Sequence, residues 1–72
     1  MNHKILNEAE ILFKEGIEFL KKGELDFAEK KFNNCLNLLP YSLPVIYNLI
    51  AIYINTNQKK KLEEILKDKI KL

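Results

Sequence analysis

The chain has little of the chemistry on which most active sites depend. Its 72 residues contain one cysteine, Cys35, one histidine, His3, and neither arginine nor tryptophan. A single cysteine cannot form an internal disulfide, and it fits a reducing compartment, so we expect a cytoplasmic protein. Arginine supplies the planar fork that binds phosphate and guanine, so its absence argues against nucleic-acid binding. The net charge of +2 is also too small to indicate a polyanionic partner.

Motifs for catalysis and metal binding are missing too. The sequence has no CxxC, no HExxH and no glycine-rich phosphate loop. His3 lies close to the start of the chain, and Cys35 has no plausible histidine partner. Acidic pairs such as Glu8 and Glu10 are typical of solvated helix faces. We therefore predict no enzyme activity, no metal site and no cofactor.

The chain also lacks long apolar runs and an apolar leader. Its longest apolar run, Leu49 to Ile54, is far shorter than the roughly 20 residues that span a bilayer. The first ten residues carry acids where a signal peptide needs an apolar stretch. Apolar residues make up 47% and charged residues 31%, a balance that indicates a folded helical domain instead of a disordered segment.

The apolar pattern repeats with a period of 34 residues. Shifted by that distance, Ile11 falls on Val45, and Phe32 falls on Leu66. A fixed period of this size signals stacked supersecondary units. We expect one domain, 1–72, with repeat one at about 9–42 and repeat two at about 43–72.

Each repeat is predicted to contain two helices. Apolar residues recur at spacings of three and four, and no segment alternates as a strand does. Asn2 or Asn7 could cap the first helix, whereas Gly23 and Asn57 supply left-handed stops after the first and third. Pro40 and Pro44 bracket the turn between the repeats. The four expected helices run from between 2 and 8 to about 22, and over about 24–39, 42–55 and 58–70.

These residues resemble the tetratricopeptide repeat, a helix–turn–helix unit of 34 residues. The first copy matches at Leu12, Gly16, Phe19, Gly23, Ala28, Phe32, Cys35 and Pro40. The second copy keeps Ile46, Tyr47, Asn48, Leu49, Ala51, Tyr53 and Leu66. It departs where Ile50 and Leu62 replace Gly16 and Ala28, which predicts that its two helices lie farther apart. The resemblance implies an all-α fold of two antiparallel hairpins, four helices in all, stacked as a short α-solenoid.

The resemblance also implies a concave groove lined by the first helix of each repeat. Carried over position by position, this groove comprises Phe13, Ile17, Leu20, Lys21, Tyr47, Asn48, Ala51, Ile54 and Asn55. Some arrays of the family clamp a peptide carboxylate with lysine and asparagine, but here Phe13 and Ile17 occupy those positions. An apolar groove suits an amphipathic helix or an extended apolar peptide. An equally open interpretation is that these side chains form the core of a four-helix bundle or of a dimer.

Two further expectations concern partners. Stacked repeats usually need about three copies for stability, so we expect a homodimer that pairs the concave faces or exchanges a hairpin about the Pro40–Pro44 turn. The alternative function is a basic helical module that binds nucleic acid or an acidic surface through Lys59, Lys60, Lys61, Lys67 and Lys71. A more ordinary interpretation is that Lys59 and Lys60 pair with Glu63 and Glu64 one turn further on.

Overall fold

The computed structural model describes residues 2–70, and over that range it contains four α-helices and no strand. The helices are α1 (His3–Lys21), α2 (Leu25–Leu38), α3 (Leu43–Asn55) and α4 (Lys59–Lys69). Each helix packs against the next one in the chain. The predicted all-α fold is confirmed, and this packing agrees with two stacked hairpins. The molecule is flat, since its Cα atoms span 35 × 32 × 13 Å.

Local signals in the sequence set the ends of the helices. The Oδ1 atom of Asn2 accepts a hydrogen bond of 2.9 Å from the backbone N–H two residues on, which decides between Asn2 and Asn7 as the cap of α1. Gly23 has φ 77° and Asn57 has φ 58°, so both are the left-handed stops that were predicted. Ser42 occupies the N-cap position of α3, but its side chain makes no capping bond.

One apolar cluster joins all four helices. Its buried members are Ala9, Ala28, Phe32, Cys35, Leu36, Val45, Ile46, Leu49, Ile52, Tyr53 and Ile65. Ile5 and Leu66 stand at the three- and four-residue spacings that predict a buried helical face, yet both are exposed. Ile5 lies in the first turn of α1. This helix is longer than its neighbour α2, with 19 residues compared with 14. Residues 2–70 include no helix with the length and apolarity that crossing a bilayer requires.

The first hairpin closes around Gly16. A Cβ atom added there would lie 2.6 Å from Cε1 of Phe32, well inside the separation of about 3.5–4.0 Å at which carbon atoms attract one another. The Phe32 ring is fully buried, and its centroid lies 5.7 Å from that of Phe13. Ala28, the other small residue of this crossing, is fully buried as well. Small side chains therefore let α1 and α2 approach closely, as the sequence predicts.

The second hairpin has Ile50 and Leu62 in the places of Gly16 and Ala28, and both are half-buried. Its helices, α3 and α4, are in close contact over much less of their length than α1 and α2 are. This difference agrees with the wider separation expected from two larger side chains.

A polar network ties the second hairpin to the first. The carboxylate of Glu29 on α2 accepts hydrogen bonds from Gln58 at 3.1 Å and from Lys61 at 2.7 Å. Within residues 2–70 the other ion pairs are Glu10–Lys14 and Glu15–Lys31. The pairing of Lys59 and Lys60 with acids of their own helix is therefore not formed. Lys61 reaches instead across the hairpins, where a half-buried carboxylate offers a stronger partner than a solvated one.

We predict that Gly16→Ala destabilises the chain. Alanine favours a helix over glycine by about 1 kcal/mol, but forcing a Cβ against the buried Phe32 ring costs about 1–3 kcal/mol. We therefore expect a lower free energy of unfolding in urea, followed by circular dichroism.

The matched control is the same substitution in a Phe32→Leu background, which removes the ring atoms that the Cβ meets. There Gly16→Ala should become neutral or stabilising, as a double-mutant cycle would show. An increase in stability from Gly16→Ala alone would contradict the close crossing.

Candidate functional site

The groove residues predicted on α1 pack partly into the apolar core. Phe13, Ile17 and Leu20 are half-buried and pack against the central cluster. Lys21, at the end of the helix, is exposed. These three apolar side chains therefore stabilise the fold and present only part of their surface to solvent.

The part that belongs to α3 is exposed except at Asn48, which is half-buried. Tyr47 and Ile54 are among the exposed large apolar side chains, and Ala51 between them is exposed as well. Their spacing places all three on one side of the helix. No residue of α3, from Leu43 to Asn55, carries a charge. This uncharged apolar helix side is a candidate interaction surface, because exposed contiguous apolar patches mark interaction sites.

The two asparagines of the groove use their amide donors within their own helix. Nδ2 of Asn48 donates to the carbonyl of Pro44 at 2.8 Å, and Nδ2 of Asn55 donates to the carbonyl of Ala51 at 2.9 Å. A carboxylate clamp needs such donors to point at the ligand. The geometry of Asn48 therefore adds to the argument against a carboxylate clamp.

An apolar cleft that was not predicted lies where α1 begins, α2 ends and α3 begins. It has a volume of about 410 Å³, and its walls include Leu6, Ala9, Phe13, Leu39 and Val45. A neighbouring cleft, which shares Leu6 and Leu39, continues along the turn between the hairpins. Leu6 lies on no predicted surface, because the cleft forms only where α1, α2 and α3 meet.

A second, polar cleft separates α2 from α4. Its volume is about 300 Å³, and Glu29, Asn33, Tyr53 and Lys61 contribute to its walls. The pKa of Tyr53 is raised, chiefly because the phenol is buried. A hydrogen bond with Asn33 lowers this pKa, but by less than burial raises it. The hydrogen bond with Glu29 raises the pKa of Lys61. Because these groups satisfy one another, the cleft serves to hold the hairpins together.

The lysines of the alternative function differ in their contacts. Lys59, Lys60 and Lys67 are exposed on α4, whereas Lys61 pairs with Glu29 at 2.7 Å. Lys71 lies outside the described residues. Within residues 2–70, no three acidic, histidine or cysteine side chains come together as metal ligands.

Cys35 is a packed core residue. Its Sγ atom donates a hydrogen bond of 3.3 Å to the carbonyl oxygen of Ala9, and burial raises the pKa of its thiol above the ordinary value of 9.0. A raised pKa keeps the thiol protonated, so its reactivity as a nucleophile is low at neutral pH.

We predict that the chain loses stability in alkali, starting at about pH 9. Above that pH the thiol of the unfolded chain releases its proton, whereas the native thiol keeps it. The free energy of unfolding therefore falls by up to about 1.4 kcal/mol per pH unit. Tyr53 acts in the same direction above its ordinary value of 10.0. Urea unfolding under reducing conditions, from about pH 7 to about pH 10.5, measures the loss.

Two variants separate the two groups. Cys35→Ala should flatten the decline that begins near pH 9, although it lowers stability at neutral pH, and Tyr53→Phe should flatten only the part above pH 10. An unchanged decline between these two pH values in Cys35→Ala would show that the thiol is not responsible.

Comparison with known proteins assigns no family to the chain. No protein-family model matches it, and neither a curated protein nor a solved structure matches it. The resemblance to tetratricopeptide repeats therefore depends on the residues of this chain alone.

Proposed function

We propose that the chain is a protein-interaction module of the tetratricopeptide type, without catalytic activity, that binds an apolar helix or peptide through its concave groove. The observation that carries this proposal is the uncharged outer side of α3, where Tyr47, Ala51 and Ile54 lie in solvent. Leaving large apolar side chains in water forfeits about 1.5–3 kcal/mol each, which a partner could recover. The single free cysteine supports a cytoplasmic location for this module.

The groove favours a ligand that offers apolar side chains. In this proposal Phe13, Ile17 and Leu20 form the half-buried wall of the groove, and the outer side of α3 forms its exposed wall. An amphipathic helix with apolar residues at spacings of three and four presents a matching stripe. Because the amides of Asn48 and Asn55 donate within their own helix, we expect most of the affinity to come from apolar burial.

A second copy of the chain is another proposed occupant. Pairing of two concave faces, or exchange of a hairpin about the Pro40–Pro44 turn, would cover the same side chains. Both arrangements stay proposals, and both use the apolar surface that supports the peptide-binding function.

The basic-module alternative is less well supported. Lys61 is paired with Glu29, and the ammonium of Lys69 lies 5.3 Å from the centroid of the Tyr41 ring. These contacts reduce the charge that α4 offers to an acidic surface. The salt dependence of the affinity distinguishes the two functions. The affinity for a polyanion falls steeply between about 50 and about 200 mM salt, whereas the affinity for an apolar ligand changes little.

Selection from a displayed library of random peptides tests the peptide-binding function. We expect peptides of about 14 residues, four helical turns, with apolar residues on one side. Tyr47→Ala and Ile54→Ala should each weaken binding of a selected peptide by about tenfold, since truncated interface anchors cost more than about 1 kcal/mol. Fluorescence anisotropy of the labelled peptide provides the measurement. Phe13→Ala should also weaken binding, together with some loss of stability.

The matched control is Ile11→Ala, which truncates an equally exposed apolar residue of α1 outside the groove. It should leave the affinity and the helix content unchanged. Selected peptides whose binding is insensitive to Tyr47→Ala and Ile54→Ala, or a library that enriches only acidic peptides, would contradict the groove.

A further inference from the structure

α4 contributes less to the apolar core than any other helix. Every buried member of the apolar cluster except Ile65 belongs to α1, α2 or α3. α1 adds several half-buried apolar side chains that pack against the cluster, whereas α4 adds only Leu62. Leu66, the remaining uncharged residue of Lys59–Lys69, is exposed. Because packing of an apolar side supplies most of the stability of helices in proteins, α4 is the helix that the core stabilises least.

The sequence of α4 also does little to stabilise the helix by itself. Residues 59–61 are lysines, and they place positive charge at the amino-terminal end, where the helix dipole favours negative charge. The first turn contains no acidic residue, and the side chain of Gln58 at the N-cap makes no capping bond within residues 2–70. The lysines of the last turn do suit the dipole. An isolated helix of 11 residues is marginal in water, so we expect α4 to unfold when it separates from α3.

Polar contacts with α2 hold the amino-terminal end of α4. The Glu29 carboxylate accepts hydrogen bonds from Nε2 of Gln58 and from Nζ of Lys61, and we call these three residues the latch. The Lys61 ammonium also lies 5.9 Å from the centroid of the Tyr53 ring. The Glu29 side chain is 13% exposed, so water competes weakly for it, and its hydrogen bond with the ammonium is charge-assisted. The latch therefore opposes the separation of α4 from the rest of the chain.

An apolar surface lies beneath α4. Leu36 of α2 and Tyr53 of α3 line the cleft between α2 and α4, together with Ile65. Leu36 is 9% and Tyr53 is 5% exposed. Separation of α4 would bring both side chains into contact with water.

We propose that α4 opens as a unit while α1, α2 and α3 stay folded, and that the latch sets how often it opens. The buried cluster members of the first three helices stay packed against one another in the open state, so this opening has a lower free energy than global unfolding. Opening exposes Leu36 and Tyr53, and neither residue belongs to the concave groove. α4 therefore controls access to a second apolar surface, and this inference does not depend on the proposed peptide-binding function.

Hydrogen exchange of the full chain, measured at each backbone amide by NMR, tests this opening. The amides of residues 63–69, beyond the first turn of α4, should be at least about tenfold less protected than the slowest amides of α1–α3. In urea below the unfolding transition, the protection of α4 should fall with a shallow slope, because its opening exposes little surface. The slowest amides should follow the full slope of global unfolding.

Two variants distinguish opening of α4 from global unfolding. Leu12→Ala removes apolar packing from α1, which stays folded when α4 opens. It should accelerate exchange of the slowest amides of α1–α3 by about tenfold or more and leave the exchange of α4 unchanged. Glu29→Gln keeps the size of the side chain and an acceptor for Gln58, but it removes the charge that binds Lys61. It should accelerate the exchange of α4 by about fivefold.

The matched control is Glu15→Gln, which removes the charge that pairs with Lys31 between α1 and α2. It should leave the exchange of α4 unchanged. No acceleration of α4 by Glu29→Gln, or an equal acceleration by Glu15→Gln, would overturn the assignment of the latch. Protection of α4 equal to that of the slowest amides, with the same urea slope, would show that α4 unfolds only with the whole chain. The urea series uses the wild-type chain, so it decides the question even if Leu12→Ala does not fold.

Discussion

The contact between the Phe32 ring and the backbone of Gly16 sets the geometry on which the rest of the chain depends. It allows α1 and α2 to pack along most of their length, with Phe13 against the same ring. The short distance between these helices also brings the Cys35 thiol to the carbonyl of Ala9. The resulting surface is apolar, because it is built from small residues and one fully buried ring. α3 packs on this surface, so the position of the second hairpin follows from the first.

The second hairpin repeats the topology without the close crossing. Ile50 and Leu62 stand where the first hairpin has glycine and alanine, and the contact between α3 and α4 is correspondingly less extensive. Other interactions compensate for this smaller contact between α3 and α4. α3 contributes much of the buried cluster, and Glu29 binds both Gln58 and Lys61 from the region of α4. The second hairpin is thus held by its neighbour as much as by its own helix pair.

The exposed apolar side of α3 follows from the small size and flat shape of the molecule. α3 is uncharged and largely apolar, but in a body with Cα extents of 35 × 32 × 13 Å the other three helices do not surround it. The first hairpin covers one side of α3, and α4 covers part of another. Tyr47 and Ile54 are left in solvent, and the free energy of their burial is available to a partner. The fold and the exposed apolar surface are therefore two results of the same apolar sequence, Leu43 to Asn55.

The sequence by itself determined the helices, their order and their ends. Glycine and asparagine at the left-handed positions, the asparagine cap and the two prolines act within about one helical turn, so they can be recognised locally. The resemblance to the repeat likewise indicated a close crossing at the small residues Gly16 and Ala28. Only the tertiary structure decided which apolar residues are buried. Ile5 and Leu66 fit the helical pattern of core residues, yet both are exposed, since burial depends on whether another helix lies opposite. The partner of Lys61 was decided in the same way, because Glu29 is 32 residues away in sequence and becomes its neighbour only when α4 packs beside α2.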